Sequence, residues 1–382
     1  MPGKKILLIA GEVSADQHGA KLVRALKHLE PDLKVWGIGG DELAASGMEL
    51  VFHLKKMAFL GVSEVIRHLP FIRKVMKTIL NRVEQEPPDC AVLIDYPGFN
   101  LRLAARLKKR GIPVVYYISP QLWAWGGRRV HKVRKYVDKM LVLFPFEKTF
   151  YERHHIQAEY VGHPLVDTHH DLVPDSFKAI DPNDVVLGLL PGSRQNEIRT
   201  LLPKMVETAR RLLKEGRVHR VLILKAPHLS ADFYAPFWQK SADESFRLIE
   251  EPMHTFLPQL DAALVASGTA TLETAYFAVP MVIVYHVHKL TYWLGRLLVK
   301  IDHIGLANIV AEREVAPELI QNDFTAERAA ELLKPMFDPQ TNLKIRSRLL
   351  IVRQKLGEPG ASLRAAKAIQ AFLNRSASSE RS

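Results

Sequence analysis

Cysteine is almost missing: Cys90 stands alone among 382 residues. Neither an intramolecular disulfide nor a multi-cysteine zinc site can form, and a reducing compartment is the natural expectation. Long apolar runs are missing too, since none reaches the roughly 18 residues that a membrane-spanning helix needs. The stretch Ile6-Leu-Leu-Ile-Ala10 near the N-terminus is cut short by Glu12 and Asp16, too soon for the apolar region of a signal peptide. Several catalytic signatures are absent as well. No H-E-x-x-H, no G-x-S-x-G and no closely spaced His/Asp set occurs, so zinc and serine hydrolysis lack support. Gly37-Ile-Gly-Gly40 carries Glu42 where a dinucleotide fingerprint needs glycine, which argues against a nicotinamide cofactor.

Acid is scarcer than base. The 53 Lys+Arg against 41 Asp+Glu leave 53 − 41 = +12, which calls for an anionic partner: nucleic acid, a membrane surface or a phosphorylated substrate. With 47% hydrophobic and 25% charged residues the chain is otherwise an ordinary globular one, long enough for two or three domains.

Short apolar, β-branched runs alternate with stretches of helical period, the pattern of a parallel α/β sheet. Strands are expected at Lys5–Ala10, Lys34–Ile38, Ala91–Asp95, Val114–Ile118 and Lys139–Leu143. A second series follows at Val185–Leu190, Val221–Lys225, Phe246–Ile249, Ala262–Val265 and Met281–Tyr285. The Asp-, Pro- and His-rich stretch between the two series has no apolar periodicity and reads as a linker. The expected division is 1–162 for the first doubly wound domain, 163–184 for the linker and 185–325 for the second domain. Helices follow over 326–374, then a polar tail over 375–382. Open α/β sheets bind ligands at the carboxyl ends of their strands, so the motifs there carry the chemistry.

After the first strand comes Gly11-Glu-Val-Ser-Ala-Asp16, with the helix expected to begin near His18-Gly19. Ser14 or Asp16 either caps that helix or joins Glu12 in a ligand cleft. Asp95-Tyr-Pro-Gly-Phe-Asn100 places a carboxylate at the end of a buried strand, where desolvation raises its pKa towards general-base range, with Asn100 as the cap of the next helix. Ser119-Pro-Gln-Leu-Trp-Ala-Trp125 leads into Arg128 and Arg129. It reads either as a sugar- or phosphate-contacting loop or as a packed aromatic one. From Leu101 to Val137 there are ten Lys/Arg and no Asp or Glu.

In the second half, Leu190-Pro-Gly-Ser-Arg194 and Ala266-Ser-Gly-Thr-Ala-Thr-Leu-Glu273 each run from a strand into a helix. Such turns offer free backbone N–H groups and a favourable dipole to an anion. No Gly-Lys-Ser/Thr follows, so neither is a Walker A loop. Two anion-type turns on one sheet, with Glu273 placed to take ribose hydroxyls, suggest a nucleoside diphosphate. Most of the 16 histidines are expected to be surface or capping residues.

Together these motifs, with Met57-Ala-Phe-Leu-Gly-Val-Ser-Glu-Val65 and Gly162-His-Pro164, resemble the lipid-A-disaccharide synthase family, in order and to about Asn374. The resemblance implies a GT-B fold: α/β, two Rossmann-like domains around a cleft. It also implies an inverting transfer from UDP-2,3-diacylglucosamine to 2,3-diacylglucosamine 1-phosphate (lipid X), on the cytoplasmic face of the inner membrane. UDP would lie on Gly192, Ser193, Arg194, Ser267, Gly268 and Thr269, with Glu273 on the ribose and Asn308 closing over the donor. Asp95 would be the base, with Glu12 as runner-up. Ser14, Asp16, Asn100, Ser119, Gln121, Trp123, Trp125, Arg128 and Arg129 would meet the acceptor. No cofactor and no metal are expected.

Met57, Phe59, Leu60, Val62, Ile66, Leu69 and Ile72, set among basic residues, form either a core stripe or a patch for the phospholipid surface. The C-terminal helices either cross back to the first domain or are exchanged within a homodimer. One departure is Ala15, where the family reads glycine, and it weakens the roles given to Ser14 and Asp16. The rivals are a related GT-B transferase or a UDP-sugar epimerase. A nucleic-acid-binding role has no helix-turn-helix, RNP or KH signature behind it.

Overall fold

A computed structural model describes residues 3–56, 69–123, 127–238, 244–286 and 303–379. The chain divides into two compact units. The first runs to Asp167 and resumes at Glu358; the second spans Thr168–Gly357.

The first unit contains β1 (Lys5–Ala10), α1 (Val13–Leu29), β2 (Lys34–Gly39), α2 (Asp41–Ala45), β3 (Glu49–His53), α3 (Leu69–Gln85), β4 (Cys90–Ile94) and α4 (Pro97–Lys108). It continues through β5 (Val114–Tyr117), α5 (Gly127–Tyr136), β6 (Lys139–Val142), α6 (Pro145–Arg153) and β7 (Ala158–Tyr160) to the start of α7 (Pro164–His169), whose last two residues belong to the second unit. Its sheet has the order β3-β2-β1-β4-β5-β6-β7, with every pairing parallel. The second unit carries β8 (Val186–Leu190), α8 (Gln195–Lys214), β9 (Arg220–Leu224), α9 (Ala231–Trp238), β10 (Phe246–Ile249), α10 (Met253–Phe256) and β11 (Ala262–Ala266). After these come α11 (Thr269–Tyr276), β12 (Met281–Tyr285), α12 (Leu306–Ala311), β13 (Glu318–Ile320), α13 (Ala326–Leu333) and α14 (Pro339–Leu356). Its sheet order is β10-β9-β8-β11-β12-β13, again parallel throughout.

Parallel strands covered on both faces read as continuous apolar runs, because neither face meets water. Ile6 to Ile9 and Ala91 to Ile94 are wholly buried for that reason. The last helix, α15 (Ala361–Ser379), packs on α1 in the first unit. Its first turn is held by Asp167, whose carboxylate accepts from the backbone N–H of Gly360, Ala361 and Ser362 at 2.7, 2.9 and 2.9 Å. The dipole of an N-terminal turn favours such a carboxylate. No described helix is long and apolar enough to cross a membrane.

Three local expectations change. Helix α1 begins at Val13 rather than near His18, so Ser14, Ala15 and Asp16 form its first turn. Ala15 is buried there at 2% exposure, where alanine supports the helix better than glycine does. Helix α4 begins at Pro97 behind a left-handed Tyr96, so Asn100 lies inside the helix instead of capping it. The stretch 163–184, read as a linker, contains α7 and a 3-10 turn at His170–Leu172, and the units part between Asp167 and Thr168.

Both sheets reverse strand order beside their first strand, between β1 and β4 and between β8 and β11. These are the switch points at which open α/β sheets place ligands. The registers Ala10↔Ile94 and Leu190↔Val265 bring the strand ends level, so the loops that follow them stand side by side.

Candidate functional site

At the first switch point the loop after β1 presents Gly11 and Glu12, and the loop after β4 presents Asp95 and Tyr96. A Cβ on Gly11 would lie 2.6 Å from the Tyr96 ring, so only glycine leaves room for this pairing of loops. Asp95 and Tyr96 adopt φ of +43° and +45°, and Ile118, at the end of β5, adopts +62°. Left-handed non-glycine residues cost about 1–3 kcal/mol each and persist only where the surroundings hold them. Here the holding groups are visible. Tyr116 Oη donates to the Asp95 carbonyl, and Asn100 Nδ2 donates to the carbonyls of Asp95 at 2.8 Å and Ile94 at 3.1 Å. Burial, with Glu12 adding like charge, pushes the Asp95 carboxyl up to about 7. The strand end therefore carries a half-desolvated carboxyl that exchanges a proton near neutrality.

The neighbouring residues divide sharply. Asp16 is 5% exposed and accepts from the backbone N–H of Gly40, Glu42 and Leu43 at 2.6, 3.1 and 3.2 Å, so it ties α2 to α1 instead of facing a ligand. Asn100, wholly buried, is likewise occupied with the strained turn. Ser119 is buried; its hydroxyl lies 2.6 Å from Tyr151 Oη and bonds the Pro120 carbonyl. Trp123 donates from Nε1 to Glu147 at 3.3 Å and packs edge-on against Phe146. Glu147 also accepts from the N–H of Leu143 and Phe144, and burial lifts its carboxyl to about 7. Of the two readings of the tryptophan loop, Ser119 and Trp123 thus follow the packed one, whereas Glu12, Ser14, Gln121 and Arg129 are exposed. Trp125 lies outside the described residues, and of Arg128 only the backbone in α5 is described.

Among the membrane candidates Met57, Phe59, Leu60, Val62 and Ile66 lie outside the described residues, and Leu69 is described only as the start of α3. Ile72 is half-buried and packs on the core, in keeping with the core-stripe reading of the two.

At the second switch point the left-handed positions are glycines. Gly192 has φ +96°, and a Cβ there would meet Glu197 Oε2 at 2.1 Å. Glu197, in the first turn of α8, folds back to accept from the N–H of Ser193 and Arg194, and burial keeps its carboxyl above the usual carboxylate range. The side chains of Ser193 and Arg194 stay exposed. Gly268, with φ +150°, has nothing within 4 Å of where a Cβ would be. That conformation is essentially open to glycine alone. Thr269 then starts α11, whose first N–H groups have no side-chain cap. Ser267 donates to the Ile304 carbonyl at 3.2 Å. Glu273, further along α11, pairs with His169 Nε2 at 2.8 Å.

Asn308 is the clear correction in this unit. Its Nδ2 donates to Ala316 O and Glu318 Oε1 at 2.7 and 2.8 Å, and its Oδ1 accepts from Val315 and Ala316 N–H at 2.8 and 3.0 Å. All four side-chain bonds of an amide are thereby used inside the protein, leaving none for a donor sugar nucleotide. Glu318 also accepts from the N–H of Ile304 and Gly305, so the pair shapes the chain around α12.

Sequence reasoning missed Glu147, Glu197, Glu318 and His169. The signal for Glu197 was present, because a Glu three residues past a helix N-cap commonly reaches back to the cap N–H. His163 and His169 are also not surface residues, being 5% and 7% exposed. Burial pushes His163 down to about 3, so it stays neutral.

A profile described as lipid-A-disaccharide synthetase matches residues 6–372. The lipid-A-disaccharide synthase of Geobacter metallireducens is 41% identical over 382 residues, covering 98% of each chain. That of Myxococcus xanthus is 40% identical over 376 residues, covering 97% of each. Among solved structures, Staphylococcus aureus MnaA with UDP superposes with a TM-score of 0.65 at 15% identity, covering 97% of both chains. Acinetobacter baumannii MurG gives 0.61 at 15% identity, covering 96% of this chain and 99% of that one. The calicheamicin glycosyltransferase CalG4 gives 0.62 at 18% identity, covering 98% of this chain and 99% of that one. At those identities the structures speak for the GT-B fold alone.

Proposed function

We propose a detailed reaction for this chain from one premise: the chain belongs to the lipid-A-disaccharide synthetase family. It is a glycosyltransferase of lipid A biosynthesis with the GT-B fold. The donor is UDP-2,3-diacylglucosamine and the acceptor 2,3-diacylglucosamine 1-phosphate. The acceptor 6-hydroxyl oxygen attacks the anomeric carbon, the bond to UDP breaks with its electron pair leaving on the β-phosphate oxygen, and the hydroxyl proton passes to Asp95. A single displacement inverts the α-linked donor to a β-1,6-linked disaccharide 1-phosphate.

The observation that carries this reading is the place of Asp95: half-buried at a switch point, on a braced left-handed turn, where burial and the Glu12 charge push its carboxyl up to about 7. A base works best when its pKa lies close to the operating pH. Burial is the larger cause of that shift, and the charge of the exposed Glu12 adds to it.

The growing charge on UDP is met by the uncapped N–H groups of the turn at Ser267–Thr269 and by the exposed Arg194 beside Gly192 and Ser193, whose own turn lends its N–H groups to Glu197. Fixed N–H groups and the Arg194 guanidinium stabilise it more in the transition state than in the bound donor. Glu273 takes the ribose hydroxyls. Ser14, Gln121 and Arg129 meet the acceptor sugar and its 1-phosphate.

The basic face of α5, with Arg129, Lys132, Arg134 and Lys135 exposed and Val130 and Val133 buried beneath, lies against anionic phospholipid on the cytoplasmic side of the inner membrane. Mass spectrometry of a reaction with both acylated substrates tests the reading. A tetraacyl disaccharide phosphate and UDP are expected from the wild type, and their absence under saturating substrates overturns it.

A further inference from the structure

Helix α7 ends on His169, one of the few buried histidines, at 7% exposure. Its Nε2 lies 2.8 Å from Oε1 of Glu273. A carboxylate only accepts, so Nε2 carries the proton of this contact. The other ring nitrogen, Nδ1, is buried and has no hydrogen-bond partner among the described residues. The ring is walled by Phe277, edge-on at 5.4 Å, with His254 at 6.0 Å and Tyr276 at 6.4 Å. Among the described residues, the single polar contact of this buried imidazole is thus the carboxylate of Glu273. An aromatic ring or a leucine would fill the same space without leaving a buried nitrogen unpaired.

Glu273 is a flexible side chain at 17% exposure on the helix that opens with the Gly268 turn. With Oε1 held, its rotation is arrested and the second oxygen points in one direction. Partner groups of this kind fix a reacting or ligating side chain in histidine–carboxylate pairs generally.

We infer that His169 is a positioning residue of the donor subsite, holding Glu273 so that its free carboxylate oxygen meets the ribose hydroxyls of a uridine nucleotide. The inference rests on the ribose reading of Glu273, and the experiment separates the two. It compares the Kd of UDP with that of 2′-deoxy-UDP by titration calorimetry on the full chain. A charged acceptor bonded to a hydroxyl distinguishes the two ligands by roughly 10- to 100-fold.

The wild type is expected to prefer UDP by about that ratio, and Glu273→Gln to lower the ratio to within about threefold of unity. His169→Phe and His169→Met, which keep bulk but lack a donor, are expected to do nearly the same, and His169→Gln, which restores an N–H, to recover most of the preference. In turnover, His169→Phe should raise the donor KM with kcat within about twofold. A merely structural histidine would weaken both ligands equally and leave the ratio unchanged. If Glu273→Gln abolishes the preference while both donor-less variants keep it, the positioning role is wrong. If Glu273→Gln itself keeps it, the ribose reading is wrong and the inference falls with it.

Discussion

The two switch points share a strand order and a parallel register but are built from opposite materials. In the first unit the left-handed positions are filled by Asp95, Tyr96 and Ile118, braced by Tyr116 and Asn100 from below. In the second they are filled by Gly192 and Gly268. A strained, side-chain-bearing turn aims a carboxyl and desolvates it. A glycine turn leaves backbone N–H groups open to an anion, as at Gly268, or lends them to a carboxylate that folds back, as Glu197 does at Gly192. In the proposed reading one fold thus yields a proton acceptor at one site and a phosphate cradle at the other, according to whether the turn carries a Cβ.

That contrast can be broken from either side. The largest effect is expected at Asp95. Asp95→Asn keeps the shape and tolerates the left-handed turn, yet removes the base, so kcat should fall by about 10²–10⁴. Stability should move the other way. A carboxyl raised from its ordinary 3.8 to about 7 binds its proton more tightly when folded, so its contribution is full below pH 4 and is lost as pH rises through 7. Thermal unfolding at pH 8 should therefore find Asp95→Asn more stable, by at most about 4 kcal/mol.

Next comes the cradle. Arg194→Ala should lower kcat/KM by an amount worth roughly 2–4 kcal/mol, as comparable oxyanion contacts do. An unchanged kcat/KM would take Arg194 out of the site. Gly11→Ala should disturb the pairing of the β1 and β4 loops, because its Cβ meets the Tyr96 ring at 2.6 Å. Overpacking of this kind costs about 1–3 kcal/mol, read as a lower unfolding midpoint. The smallest effect is expected for Glu197→Ala. It removes the carboxylate that folds back on the second cradle and should cost about 0.5–2 kcal/mol of stability while leaving the first switch point untouched.

The buried strands were legible because parallel strands covered on both faces leave apolar runs that nothing interrupts. Edge strands β3, β7 and β13 were not, since they are only three to five residues long and partly exposed, and carry no such run. The candidate catalytic turn was legible at Asp95, where a carboxylate ends an apolar strand. Its left-handed geometry was not, because Asp-Tyr-Pro does not announce two consecutive positive φ values. Asp16 and Asn308 show the other limit. Each is a polar residue next to a strand-end motif, and whether it faces ligand or backbone depends on partners elsewhere in the fold. Asp16 meets Gly40, 24 residues away, and Asn308 meets the chain before β13. His169 and Glu273 lie over a hundred residues apart in sequence, and only folding brings them together.

The central proposal is that the half-buried Asp95 carboxyl at the first switch point accepts the acceptor proton. The dependence of kcat/KM on pH tests it most directly, since that quantity reports the ionisation of the free enzyme. Wild type should show activity rising with unit slope up to about pH 7 and level above it, and Asp95→Asn should retain a low rate with no such limb. An equal limb in Asp95→Asn, or a wild-type profile flat from about pH 5 to 8, would contradict the account.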